Sequence, residues 1–94
     1  MELLNLKAAA LEAINDLRAE YGRDPLTVIP RGRRQDPEQC PVQQALADCG
    51  VTEVDELGYY EGDDAYSDLP PILRQFVGAV DDGGFPELEI GYPK

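Results

Sequence analysis

The chain has 94 residues, 43% hydrophobic and 29% charged, which predicts one small globular domain spanning 1–94. Such a domain has an expected stability of roughly 5–9 kcal/mol. Nineteen acids against eight bases give a net charge of −11 and there is no histidine, so phosphate and anionic lipid are repelled at long range and the commonest general base and zinc ligand is missing.

Residues 2–21 read as an amphipathic helix: Leu3, Leu6, Ala10, Ile14, Leu17 and Tyr21 recur at spacings of three and four, widened by Leu4 and Leu11, and Ala8 to Ala10 favour helix. No basic region followed by a continuous apolar core opens the chain, and no apolar run approaches the roughly 18–20 residues of a span. A cytoplasmic protein without a signal or membrane segment is therefore expected. Gly22 stops the helix, and Asp24-Pro25 turns the chain. Leu26-Thr27-Val28-Ile29, β-branched and closed by Pro30, is predicted as an edge strand.

After the loop Arg31-Gly32-Arg33-Arg34, Asp36-Pro37-Glu38-Gln39 has a helix-start pattern, but Pro41 pushes Cys40 out of the α region. A single turn at 37–39 and a helix opening at Pro41 follow, with Val42, Ala45, Leu46 and Cys49 as its buried stripe and Gly50 as its stop. Val51 to Tyr60 reads as strand, with a helical turn capped by Thr52 as the alternative. Residues 61–67 are expected to be a mobile acidic loop. Ser67 or Asp68 then caps a third helix, with Pro70 and Pro71 in its first turn and Leu69, Ile72, Leu73, Phe76, Val77 and Val80 as its stripe. Residues 85–94 are a tail that Phe85 and Leu88 can pin. The predicted class is α+β, three helices on a small, expectedly antiparallel sheet, with Leu17, Val42, Leu46, Ile72, Phe76 and Val77 converging in the core.

Pro30-Arg31-Gly32, then Asp36-Pro37-Glu38-Gln39-Cys40-Pro41 and Ala45-Leu46, together with Leu69-Pro70-Pro71, Phe76-Val77 and Phe85-Pro86-Glu87-Leu88, carry a resemblance. The pattern resembles short uncharacterised cytoplasmic proteins of actinobacteria and their phages (mycobacteriophage type), and covers roughly residues 28–88. It departs at Val80, where a second aromatic is expected. The resemblance implies a bacterial or phage cytoplasmic origin and no catalytic residues.

Arg31-Gly32-Arg33-Arg34 is similar to an AT-hook core, whose glycine lets arginines reach the minor-groove floor. Arg34 stands where a hook closes with proline, and the surroundings are acidic, so nucleic acid is the alternative partner and a role within the fold is preferred. Leu46 to Thr52 has the look of a helix-turn-helix turn, but Glu53, Asp55 and Glu56 on the reading segment oppose phosphate. Cys40 at a helix start near Arg33 and Arg34 has the setting of a low-pKa thiol, yet no base partner is visible. Cys40 and Cys49, about 13 Å apart on a helix, are expected to be free thiols. Asp63, Asp64 and Asp68 miss the calcium-loop spacing.

Residues 51–94 hold eleven acids and two bases, against eight and six in residues 1–50. Tyr59, Tyr60 and Tyr66 lie in that acidic half, a combination suited to a basic protein partner. The expectation is therefore a small accessory protein that binds a host or phage protein, possessing neither enzyme activity, metal nor cofactor, as a monomer or weak homodimer. Its candidate contact residues are Arg31, Arg33, Arg34, Tyr59, Tyr60 and Tyr66.

Overall fold

Leu6, Ala10, Ile14 and Leu17 follow one another at spacings of four, four and three, so a helix sets all four on one side. A computed structural model describes residues 2–33, 35–62 and 65–90, and these four side chains form the buried stripe of α1 (Leu3–Glu20). The Arg23 N–H turns back to the Arg18 carbonyl at 2.9 Å and closes the helix.

Asn15 decides the next segment. Its Nδ2 donates to the Leu26 carbonyl (2.9 Å) and its Oδ1 accepts from the Leu26 N–H (2.8 Å). Both backbone groups of Leu26 are spent on one side chain, and residues 26–29 run irregularly instead of forming the expected edge strand. Tertiary partners have overridden β propensity.

The arginine loop pairs with the far end of the chain. Gly32 N–H donates to the Leu88 carbonyl (2.8 Å), the Gly32 carbonyl accepts from Ile90 N–H (2.9 Å), and Gly32 and Glu89 form a parallel bridge. Residues 85–90 are thus an integrated segment: Pro86–Leu88 make a 3-10 turn, and Phe85 and Leu88 are buried as expected. The rest of the predicted tail, 91–94, lies outside the described residues.

The single turn at 37–39 and the helix start at Pro41 are present. In α2 (Pro41–Leu46) Cys40 is the N-cap, its Sγ accepting the Gln43 N–H at 3.4 Å. Val42, Ala45 and Leu46 are buried, Cys49 is half-buried, and a 3-10 turn, Ala47–Cys49, ends at Gly50.

Residues 51–60 form two strands and the turn between them, not a helical turn. The antiparallel sheet runs β1 (Val51–Val54), β2 (Gly58–Glu61), β3 (Ala65–Asp68), with Val54 opposite Tyr59, Glu53 opposite Tyr60, and Tyr60 opposite Tyr66. A bulge lies between Val51 and Glu53. β3 corrects the reading of 61–67 as a loop, although Asp63 and Asp64 lie outside the described residues. It also corrects the helix cap: Ser67 and Asp68 are in strand, and α3 (Pro71–Asp81) begins without a side-chain cap after an extended Pro70. The second proline forces that conformation, since a residue before proline is excluded from the α region.

Leu73, Phe76, Val77 and Val80 are the buried face of α3, and the Phe76 ring meets Phe85 at 4.9 Å between centroids. Leu17, Val42, Leu46, Phe76 and Val77 share one core, with Ile72 half-buried at its margin. Among the described residues the architecture is α+β, three helices and one three-stranded open sheet. Val51, Val54 and Tyr59 face the core, while Tyr60, Tyr66 and Asp68 are exposed.

The core holds one charge that the sequence reading overlooked. Arg18 is buried, donating from Nε to the Asp24 carbonyl (2.7 Å) and from Nη1 to the Ala45 carbonyl (2.7 Å), with a bidentate pair to Asp48 (2.6 and 3.1 Å). The signal was available: Arg18 falls four residues after Ile14 and seven after Leu11, on the apolar side of α1. Hydrogen bonding to Arg18 holds the Asp48 carboxyl below its usual range. A depressed folded pKa contributes stability above the unfolded value of about 3.9 and loses it as pH falls through the folded value. Asp48→Asn is therefore expected to cost about 1 kcal/mol at pH 7, because Asp48 is half-exposed, and the difference from wild type should shrink away as pH falls through the depressed folded value. Urea titrations of both proteins across pH measure this; a difference that persists in acid would rule out the ion pair as its source.

Candidate functional site

Strand alternation places Tyr60 and Tyr66 on the same side of the sheet, and pairing β2 with β3 puts them directly opposite each other. Their ring centroids are 4.7 Å apart, tilted at 58°. Glycine at 58 makes room for the pair: a Cβ there would stand 2.6 Å from the Cζ and hydroxyl of Tyr66 and overlap the Ser67 carbonyl. Tyr66 thus lies over bare backbone, and its hydroxyl donates to Asp55 at 3.2 Å.

Asp55 is the hinge of this arrangement. Its Oδ1 also accepts the N–H groups of Leu57 (2.8 Å) and Gly58 (2.7 Å), fixing the β1–β2 turn. Partial desolvation, followed by the Asp55 charge and hydrogen bond, raises the Tyr66 pKa, so the phenol stays protonated at neutral pH. The rings are pre-positioned in solvent.

Carboxylates surround them. Glu53 is opposite Tyr60 in the register, Asp68 is opposite Gly58, and a recess of about 480 Å³ beside Tyr60 is lined by Glu38, Thr52, Glu53 and Gly62. Asp55 also lines a pocket of about 260 Å³. Its lining combines the apolar Cys40, Val54 and Val77 with Asp36, Asp55, Glu56 and Asp81.

The other predicted contact residues lie elsewhere. Tyr59 points to the core, 6% exposed, with its hydroxyl 3.5 Å from that of Tyr21, which in turn donates to Glu61. It is a packing residue, separated from Tyr60 because adjacent strand residues face opposite ways. Arg31 donates to the Glu89 carbonyl at 2.6 Å, and Arg33 N–H donates to the Gln39 carbonyl at 2.7 Å. Arg34 lies outside the described residues.

Cys40 and Cys49 are free thiols. Burial pushes the Cys40 thiol up to about 11, outweighing its backbone donors, so it is protonated at neutral pH, the reverse of an activated nucleophile. Among the described residues no group of three or more Cys, Asp or Glu side chains is arranged to hold a metal ion, and no helix is long and apolar enough to cross a membrane. Of the Asp63, Asp64 and Asp68 set, only Asp68 is described. Comparison with protein-family models, curated proteins and solved structures finds no match for this chain.

Proposed function

We propose that this protein acts by binding a basic protein segment on the open face of its sheet, centred on Tyr60 and Tyr66. The observation that carries the reading is the tilted tyrosine pair, exposed yet anchored through Asp55 and ringed by carboxylates. Rings already held in place bury area at little ordering cost. Glu53, Asp55 and Asp68 supply acceptors for arginine or lysine, and the acidic field speeds encounter with cationic partners while opposing anionic ones. The pocket over Cys40, Val54 and Val77 suits the alkyl stem of such a side chain, its charge meeting Asp36 or Glu56.

The resemblance to actinobacterial and phage proteins extends this to a cytoplasmic accessory role, in which the partner is a host or phage protein. The competing AT-hook reading is disfavoured by Gly32, whose backbone is bonded to Leu88 and Ile90 instead of lying open between its arginines.

Affinity capture from actinobacterial lysate tests the proposal. A specific partner should be retained by wild type and by an Arg31→Ala/Arg33→Ala variant. Tyr60→Ala should weaken it roughly thirtyfold, about 2 kcal/mol, as expected of a central aromatic contact. Retention by Tyr60→Ala with loss on the arginine variant, or release by nuclease, would overturn the reading.

A further inference from the structure

The two edges of the sheet are unlike. Along the outer side of β1, the Val54 N–H donates to the Pro37 carbonyl (2.8 Å) and Gln43 Nε2 donates to the Val51 carbonyl (3.1 Å), so α2 and the turn before it close that edge. β3 is the other edge, because the strand order is β1-β2-β3. Its pairing with β2 is regular, from Gly58 opposite Asp68 to Glu61 opposite Ala65. The bulge, lysine or proline that commonly blunts a sheet edge is missing from β3.

The phase of the ladder fixes what this edge offers. The Leu69 N–H donates toward β2, to the Leu57 carbonyl (3.1 Å), and the Asp55 N–H takes the Gly58 carbonyl (2.9 Å) on the β1 side. Antiparallel pairs alternate, so Ala65 and Ser67 turn their backbone groups to β2 while Tyr66 and Asp68 turn theirs outward. Among the described residues nothing hydrogen-bonds to these outward groups, and both residues are exposed. Strand alternation also sets the Tyr66 and Asp68 side chains on the face that carries Tyr60. One base comes near: Arg74 of α3 donates from Nε to the Leu69 carbonyl (2.8 Å), just past Asp68, and ends the open edge there. On the face itself stand the carboxylates of Glu53, Asp55 and Asp68.

We propose that a basic segment of the partner adds to β3 as a fourth, antiparallel strand, with arginine or lysine at alternate positions opposite Tyr66 and Asp68. This mode rests on the binding of a basic segment at the Tyr60–Tyr66 face, and it fixes that segment's conformation and the spacing of its charges. Directly opposed residues of an antiparallel pair project to the same face, so one cation lies against the Tyr66 ring and the other meets the Asp68 carboxylate. The residue between them faces the other way, opposite the half-buried Ser67, and needs no charge. Backbone hydrogen bonds then supply attraction common to any extended chain, and the alternate cations supply the selection. A second copy of this protein is the poorer occupant. Pairing edge to edge would bring two Asp68 side chains and their neighbouring carboxylates together in chains of net charge −11.

The test is an NMR titration of the full labelled chain with a capped threonine-arginine-valine-arginine-threonine peptide to about 1 mM, a range suited to so small a contact. The Tyr66 and Asp68 amides should shift and exchange with solvent several-fold more slowly, while the Val54 amide, already bonded, is unmoved. Methylating both arginine backbone nitrogens removes the donors that face β3 at unchanged charge, and should weaken binding at least about tenfold. Methylating the valine nitrogen, which faces away, should change it little. Glutamates in place of the arginines should abolish binding, and Asp68→Asn and Tyr60→Ala should each weaken it several-fold. Undiminished binding of the doubly methylated peptide, with loss on Tyr60→Ala, overturns strand addition and leaves binding at the face standing. Binding that needs the arginine nitrogens but ignores Tyr60→Ala keeps the strand and removes the aromatic face from the function. No saturable shift with the unmethylated peptide overturns the proposal. So does slow exchange of Tyr66 and Asp68 in peptide-free protein that grows with protein concentration, the mark of a second copy on the edge.

Discussion

Phe76→Ala is expected to remove about 3–5 kcal/mol, most of the roughly 5–9 kcal/mol that a domain of this size possesses. Phe76 is fully buried at the centre of α3, packed at a tilt against Phe85, and shares one core with Leu17, Val42 and Leu46. Truncation loses the ring's burial and leaves a cavity that cannot easily collapse, because the Phe85 segment is held by the Gly32 bridge. Urea denaturation at neutral pH should show a variant near its transition without denaturant. A melting temperature within a few degrees of wild type would show that this core does not carry the fold.

Gly32→Ala is the second large effect, with an expected cost of about 3 kcal/mol, the upper end for overpacking. A Cβ at position 32 would overlap the Gln39 carbonyl oxygen and stand 2.6 Å from Cys40 C and Pro41 N. All three atoms are backbone, so relief requires moving the 30–33 segment away from α2. That movement strains the Arg33–Gln39 and Gly32–Leu88 hydrogen bonds together. By contrast, Arg31→Ala with Arg33→Ala removes only exposed side chains and should cost within about 1 kcal/mol. Chemical denaturation of the two proteins side by side measures the contrast. Equal losses, or a larger one for the arginine pair, would place the motif's contribution in its charges and not in its glycine.

The acidic and aromatic character of the site was legible, because composition and the Tyr59-Tyr60 and Tyr66 positions are written in the chain. Which tyrosines face outward was not. Tyr60 and Tyr66 belong together through a strand register, and β3 was itself hidden by the look of Ser67 and Asp68 as helix caps. The arginine loop stands out in the chain against its acidic surroundings, but its partners, Gln39 and the 88–90 backbone, could not be inferred from spacing.

By itself the sequence determined the three helices, since α1, α2 and α3 rest on apolar periodicity and on Pro and Gly punctuation within a few residues, while it left 51–60 open between strand and a helical turn. Tertiary structure alone decided that Leu26 gives its backbone to Asn15, that Arg18 is buried against Ala45 and Asp48, and that Gly32 lies between the 39–41 and 88–90 backbones. The reason is physical. A local pattern states which faces are apolar, but a buried guanidinium, a spent amide or a missing Cβ is explained only by the atoms that meet it, and those come from 6 to 58 residues away.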